Sequence, residues 1–451
     1  MFDLAVIGGG PAGYVAAERA GAAGLKVVLF EGSELGGVCL NEGCIPTKTL
    51  LYGAKLYDNA LHSEKYGVSA GDVSFDWLKM LKRKEKTVRR LVAGVKLRLA
   101  NAGVEVVKEN AFIEGRTPEG FTVTAGPESY CASRLLVCTG SEAFLPPVPG
   151  LVDAGDVVMT SRELLAVREV PASLVIIGGG VIGIEFASLF NSLGSRVTVI
   201  EMLPSILGPM DGEVSSILQK QYARKGIDFR LGCRVSAIEG HEVVSVDSDG
   251  VESRVSGDRI LVSVGRRARL SGFGLENTGV ECGRGVKVDD RMRTSVPGIW
   301  AAGDVTGFSM LAHAASREAE VAVDDMLGRD VRMNYDAIPG VVYTNPEAAG
   351  TGLTEAEAAA RGIAYSVLKL PMTFSGRFVA ENELGEGICK ILVDQDSHRI
   401  LGAHMLGNSS SEIISGLCIA IEKGMTAEQL RQVVFPHPTV SEIVRETLLT
   451  L

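Results

Sequence analysis

An α/β fold with two nucleotide-binding domains, one inserted in the other, is predicted by three observations. The glycine pattern G-x-G-x-x-G occurs twice, at Gly8, Gly10 and Gly13 and again at Gly178, Gly180 and Gly183. In both copies an apolar strand precedes the pattern, a helical stretch comes after it, and a second strand closes on an acid at the same offset, Glu31 or Glu201. Each copy also has a strand-to-glycine exit, "LLVCTGSEAFLPPVPG" and "ILVSVGRRARL". At 451 residues the chain is too long for one hydrophobic core, so several domains are expected.

"FDLAVIGGGPAGYVAAERAGAAGLKVVLFE" reads as strand, tight turn, helix, strand. The first glycine permits the turn, the second lets backbone approach a pyrophosphate, and the third lets helix and strand pack closely. The carboxylate of Glu31 can then accept hydrogen bonds from ribose hydroxyls. "SLVIIGGGVIGIEFASLFNSLGSRVTVIE" repeats every feature with Glu201, so two Rossmann-like units are expected, holding two dinucleotides or one dinucleotide beside an empty duplicate. "GIWAAGDVTG" places Asp304 after an apolar strand, where it can bind a hydroxylated chain. It comes after the second unit in sequence, so the first nucleotide domain resumes there. The proline-rich "LPPVPG" marks the crossing into the insert.

The formal charge of −10 argues against a nucleic-acid partner, and the basic run "KMLKRKEKTVRR" reads as a solvated helix face. The longest apolar stretch is glycine-rich and broken by Glu185, so no membrane span is expected. The first strand starts at once, which leads us to expect a cytoplasmic protein. Of eight cysteines, Cys233, Cys282, Cys389 and Cys418 read as core thiols, while Cys131 and Cys138, seven apart in strand-like sequence, should face opposite ways. Cys39 and Cys44 in "GGVCLNEGCIPTKTLL" ask for chemistry. A zinc site needs about four ligands and none lies nearby, so no metal is expected. Two core thiols or a redox pair remain open on spacing alone. A regular helix holds Cα atoms five apart at roughly 8–9 Å, beyond the ~7 Å limit for a disulfide. A bonded pair therefore requires a distorted first turn ahead of a helix beginning near Ile45, whose positive end would favour a thiolate.

Among the histidines, His62, His241 and His398 read as surface and His404 as a core strand residue. His437, in "FPHPTVSEIVRE", is held on a stiff loop by Pro436 and Pro438. Glu442 has two readings, a partner that fixes the His437 tautomer or half of a Thr439-x-x-Glu442 capping box.

"GGVCLNEGCIPTK", "GGGVIGIEFAS", "AAGD", "TNPEAAGTGLTE" and "HPTVSE" together resemble the FAD- and pyridine-nucleotide-dependent disulfide oxidoreductases, from residue 3 to about residue 447. The resemblance implies an FAD-binding domain over 1–144, an NAD-binding domain over 145–266, a returning FAD segment over 267–337 and an α+β dimerisation domain over 338–451. It carries FAD contacts onto Gly8, Gly10, Gly13, Glu31, Lys48, Ala111, Gly140, Asp304 and Ala312. NAD contacts fall on Gly178, Gly180, Gly183, Glu185, Glu201, Val235 and Gly265. It makes Cys39 the thiol that exchanges with substrate and Cys44 the one facing the flavin, and it pairs Lys48 with Glu185. His313 becomes a support of the flavin. His437 becomes the base, held by Glu442 and serving the other subunit of a homodimer. The branch it resembles most oxidises protein-bound dihydrolipoyl groups with NAD, partnered by a lipoylated carrier or the acyltransferase core of a multienzyme complex. Glu201 would repel the 2′-phosphate of NADPH. Rival readings are a reductase of another disulfide or metal substrate, and a flavin-bearing sensor or scaffold. Val38, Thr47, Cys138 and Phe435 depart from the family's usual residues at their positions.

Overall fold

The computed structural model describes residues 1–382 and 385–451. The chain forms two compact units, one of Met1–Thr49, Leu81–Phe144 and Gly265–Asn334, the other of Leu50–Met80, Leu145–Val264 and Tyr335–Leu451.

The first unit is built on a parallel sheet in the order Ile299–Ala301, Leu135–Val137, Leu4–Ile7, Val27–Phe30, Glu105–Val107. Its central strands are continuous apolar runs because both sheet faces are covered, and every residue of Leu4–Ile7 and Val27–Phe30 is buried. The strand Ile299–Ala301 joins this sheet from beyond the insert, which is how the first domain resumes. Alanines on the helices Pro11–Ala22 and Ala312–Met326, among them Ala16, Ala20, Ala315 and Ala319, are buried and allow close helix packing. An antiparallel meander of Ala111–Thr117, Gly120–Ala125 and Glu128–Ala132 alternates apolar and polar residues, the pattern of a sheet wetted on one face.

The second unit repeats the plan. Its parallel sheet runs Asp228–Leu231, Arg196–Glu201, Ser173–Ile177, Arg259–Val262, Val158–Met159, again with the fingerprint strand at the centre. A meander of Arg234–Glu239, Glu242–Val246 and Glu252–Ser256 accompanies it. The C-terminal part is a different construction. Five antiparallel strands, Gly340–Val342, Ala348–Gly352, Ile400–Leu406, Ile388–Asp394 and Tyr365–Pro371, share a core with residues of the helices Ser410–Glu422 and Glu442–Leu448.

Residues 50–80, expected within the FAD segment, fold with the second unit. There the Trp77 indole N–H donates to the Val167 carbonyl at 2.9 Å, and the Tyr66 hydroxyl to the Glu381 carbonyl at 2.8 Å. Cys282, expected in a core, is exposed, because it lies on an irregular loop tied by a single bridge to Val286.

Lys390 is 2% exposed at the centre of the antiparallel sheet, where an unpaired ammonium would be strongly disfavoured. It is held by Asp211 at 2.9 Å, Glu213 at 3.3 Å and Glu355. Asp211 also caps the helix Gly212–Arg224, accepting the Glu213 and Val214 N–H groups at 3.1 and 3.2 Å. Burial works against its charge, yet the hydrogen bonds from Lys390 and Val214 hold the Asp211 carboxyl below its ordinary value. A carboxyl depressed in this way stabilises the fold above the unfolded-state value of about 4, and that stability is lost as pH falls through it. Replacing Lys390 with Met is expected to destabilise the second unit by about 3–5 kcal/mol, since it strands a buried carboxylate. Denaturant unfolding between pH 3 and 8 should show that loss at neutral pH and a flatter acid limb than the wild type.

Candidate active site

The two fingerprints have the same geometry. In the first, Glu31 Oε2 accepts the Gly9 N–H and Oε1 the Ser33 N–H, both at 2.8 Å. In the second, Glu201 Oε2 accepts the Gly179 N–H at 2.6 Å and Oε1 the Leu203 N–H at 2.7 Å. Backbone thus fixes each carboxylate at the strand end while each oxygen keeps a second lone pair for a ribose hydroxyl.

The next helices, Pro11–Ala22 and Val181–Ser192, begin at Gly10 and Gly180 with no side-chain cap and no acid in the first turn. Their N-terminal N–H groups and positive dipole ends suit an anion. An added Cβ at Gly10 would come no closer than 3.8 Å to any atom, and at Gly180 it would meet nothing within 4 Å, so both glycines border open space. Gly13 and Gly183 are the reverse, since a Cβ there would lie 1.8 and 2.1 Å from the carbonyl oxygens of Gly8 and Gly178. These residues fit two dinucleotides.

Gly140 and Gly265, both at positive φ with nothing near their Cβ positions, come after the strands Leu135–Val137 and Arg259–Val262, each paired with its fingerprint strand. Gly265, expected at the NAD site, opens the last segment of the first unit, because its carbonyl accepts the Phe144 N–H at 3.0 Å. Ala111 opens the first strand of one meander, and Val235 is the second residue on the first strand of the other. Ala312 opens the helix Ala312–Met326 behind Leu311, which cannot cap it, and His313 is exposed in the first turn.

Asp304 comes after the strand Ile299–Ala301 as expected. Its Oδ2 accepts the Ser141 hydroxyl at 2.5 Å. Arg266 Nε donates to that hydroxyl oxygen at 2.7 Å, and Nη2 to the Ser141 carbonyl at 2.8 Å. Ser141 and Arg266 escape a sequence reading because only the antiparallel pairing of Ser141–Ala143 with Arg266–Ala268 brings them together.

Cys39 lies on the short helix Gly37–Asn41, and Cys44 opens the helix Cys44–Leu61. The break at Glu42, φ −137°, supplies the distortion the spacing requires. Both half-buried cysteines are thiols, and they are hydrogen-bonded to each other. That bond pushes the Cys39 pKa well above the ordinary thiol value. Burial and the charge of Cys44 add to the rise, and Lys48 opposes it. The departures from the family leave this arrangement standing. Thr47 is buried and donates its hydroxyl to the Gly43 carbonyl at 2.6 Å, and Val38 is half-buried beside Gly43. Cys138 is buried and its N–H donates to the Ile7 carbonyl at 2.8 Å.

In the second unit, His437 is 79% exposed, and its Nδ1 lies 2.8 Å from Glu442 Oε1. Glu442 Oε2 accepts the Thr439 N–H, also at 2.8 Å. Glu442 therefore meets both partners, one on each oxygen, but the expected capping box at Thr439 is not formed. The helix Glu442–Leu448 begins two residues later than a full capping box at Thr439 would require, with Ser441 at its N-cap. The Thr439 N–H, and after it His437, keep the Glu442 carboxyl below its ordinary value. Phe435 packs against the C-terminal core. His62, His241 and His398 are at the surface, and His404 is 2% exposed in a central strand. Glu185 is 3% exposed and accepts the Tyr343 N–H at 3.0 Å.

The chain belongs to the pyridine nucleotide-disulphide oxidoreductase family, with residues 2–319 matching its main model and 338–448 its dimerisation domain. It is similar to dihydrolipoyl dehydrogenase 3 of Pseudomonas aeruginosa, 39% identical over 455 residues covering 99% of this chain and 97% of that one. Dihydrolipoyl dehydrogenase of Cupriavidus necator is 37% identical over 467 residues, covering 100% and 98%. LpdA from Mycobacterium tuberculosis has the same fold, with a TM-score of 0.90 at 25% identity, covering 100% of this chain and 99% of that one.

The glycines should separate binding from folding. Gly183→Ala is expected to destabilise by about 1–3 kcal/mol through overpacking, whereas Gly180→Ala should stay within about 0.5 kcal/mol yet weaken dinucleotide binding. Thermal unfolding and NADH titration of the same preparations check both.

Proposed function

We propose that the chain catalyses the reaction of its dihydrolipoyl dehydrogenase relatives, the NAD-dependent oxidation of protein-bound dihydrolipoyl groups. The observation that carries this reading is the contact of Cys39 and Cys44 at a helix N-terminus, in the unit that also contains Gly8, Gly10, Gly13, Glu31 and Asp304. Bound FAD supplies the two-electron path from the reduced cysteine pair to NAD⁺.

The protein's own groups perform the exchange. In the oxidised form, with Cys39 and Cys44 joined by a disulfide bond, His437 Nε2 takes a proton from one substrate thiol, and the resulting thiolate attacks Cys39 Sγ. The Cys39–Cys44 bond breaks with its electron pair on Cys44. The second substrate thiol, deprotonated in turn, attacks the mixed disulfide, forms the cyclic lipoyl disulfide and releases Cys39. Cys39, released as a thiolate, takes a proton from the His437 imidazolium, and Cys44 carries the charge in the reduced pair, where the helix dipole favours it. Glu442 accepts from His437 Nδ1, leaving Nε2 to act as base, and stabilises the imidazolium.

Gly8, Gly10, Gly13, Glu31, Lys48, Ala111, Gly140, Asp304 and Ala312 would hold FAD. Gly178, Gly180, Gly183, Glu185, Glu201, Val235 and Gly265 would hold NAD. The division into 1–144, 145–266, 267–337 and 338–451 would follow these roles, with residues 50–80 grouped by their packing with the second unit and Gly265 with the first. His437, standing open to solvent, would serve the cysteine pair of a second copy, which makes the homodimer the working form. The partner is the lipoylated carrier or acyltransferase core of a 2-oxoacid dehydrogenase or glycine cleavage complex. The compartment is the cytoplasm, where a reducing pool suits the thiols seen throughout this chain. No helix among the described residues is long and apolar enough to cross a membrane.

Turnover of free dihydrolipoamide with NAD⁺ by the FAD-loaded protein is the direct test, and its absence would overturn the reading. His437→Gln should slow reduction by dihydrolipoamide by roughly 10²–10⁴-fold, the usual worth of a general base. FAD content and NADH-to-dye electron transfer should stay near normal, and paired stopped-flow half-reactions separate these. Glu201→Gln should narrow the preference for NADH over NADPH roughly tenfold, about 1.4 kcal/mol, measured as the ratio of kcat/KM values.

A further inference from the structure

Tyr222, on the helix Gly212–Arg224, is 2% exposed and buried on the same helix face as Val214, Ser215 and Leu218, where an apolar side chain would be enough for packing. Its hydroxyl has another use. The oxygen lies 2.6 Å from Ser188 Oγ, accepts the Asn345 N–H at 3.0 Å and donates to the Asn345 carbonyl at 3.2 Å. A phenol has one proton and two lone pairs, so with Ser188 as donor these contacts use its full capacity. Burial pushes its pKa up to about 12, so the phenol remains a neutral donor at working pH.

Ser188 lies about one turn beyond Glu185 on the fingerprint helix Val181–Ser192. Glu185 accepts the Tyr343 N–H. The segment Tyr343–Asn345 is therefore fastened to this helix twice, once at Glu185 and once through Tyr222 to Ser188. Lys225 Nζ also donates to the Asn345 carbonyl, at 3.3 Å, so the Asn345 N–H and the Ser188 hydroxyl are the groups that depend most on the phenol. Glu185 is one of the residues proposed to hold NAD, and a role for Tyr222 in the nicotinamide reaction rests on that reading.

We propose that the Tyr222 hydroxyl is a positioning group for the nicotinamide reaction, clamping Asn345 to Ser188 so that the Tyr343 N–H stays on Glu185 and fixes that carboxylate. Without the hydroxyl, a buried N–H and a buried hydroxyl lose their partner and the segment shifts to satisfy them. A displacement of about 1 Å at a reacting group costs on the order of 10²-fold in rate.

The test uses Tyr222→Phe and Ser188→Ala as FAD-loaded full-length proteins. Three quantities are read: the rate of reduction by NADH, the rate of reduction by dihydrolipoamide, and amide hydrogen exchange at Tyr343 and Asn345. Tyr222→Phe should slow reduction by NADH roughly ten- to a hundredfold and speed exchange at both amides. Its FAD content and dihydrolipoamide rate should match the wild type. Ser188→Ala, which keeps the bond from Asn345 to the phenol, should show the same pattern to a smaller degree, and it stands as the test if the first variant fails to fold. Equal slowing of both reductions would make Tyr222 a packing residue and overturn the proposal. So would an unchanged NADH rate or unchanged amide exchange. A wild-type protein that NADH does not reduce would instead sink the proposed function, while the exchange data would still report on the clamp.

Discussion

Both nucleotide domains depend on one backbone contact, the approach of the third fingerprint glycine to the carbonyl of the first. A Cβ at Gly13 would sit 1.8 Å from the Gly8 oxygen, and at Gly183 2.1 Å from that of Gly178. Only glycine lets the helix lie this close to its strand. The contact sets where the helix begins, and therefore where its uncapped N–H groups point. The residue between the first two fingerprint glycines then meets the acid at the end of the next strand, Gly9 N–H on Glu31 and Gly179 N–H on Glu201.

The duplication extends past the fingerprints to strand order, meander and exit glycine, but the two units are specialised by what is added to each. The first carries the cysteine pair on a break between two helices, so that a five-residue spacing becomes a contact. It also carries the chain from Arg266 through Ser141 to Asp304, which joins the segments leaving and re-entering the unit. The second carries an antiparallel sheet whose buried Lys390 is tied to the carboxylate that caps a nucleotide-domain helix. Ionic groups thus hold together parts of the second unit that differ in architecture.

Glu442 shows how one side chain can meet two partners at once. A capping box and a histidine partner looked like alternatives in sequence because each calls for a carboxylate at the same position. A carboxylate has two oxygens, and here one accepts a backbone N–H while the other faces the imidazole. Anchoring by the Thr439 N–H fixes the direction of the oxygen that orients His437. That N–H contact is all that forms of the expected capping box.

The sequence by itself determined the parts whose chemistry is local. The glycine spacings, the strand-end acids and the C-x₄-C pair each act within one β-α-β unit or one helix start, so residue order alone locates them. The insertion was legible too, because matching exits and a later Asp304 cannot be ordered otherwise. Tertiary structure decided what depends on partners distant in the chain. Residues 50–80 left the expected FAD segment because Trp77 and Tyr66 find their hydrogen-bond acceptors at Val167 and Glu381. Ser141, Arg266, Tyr222 and Lys390 look like ordinary strand or helix residues until sheet pairing and packing bring Asp304, Asn345 and Asp211 to them. A buried polar group must find its partner wherever the fold places one, and no spacing along the chain encodes that place.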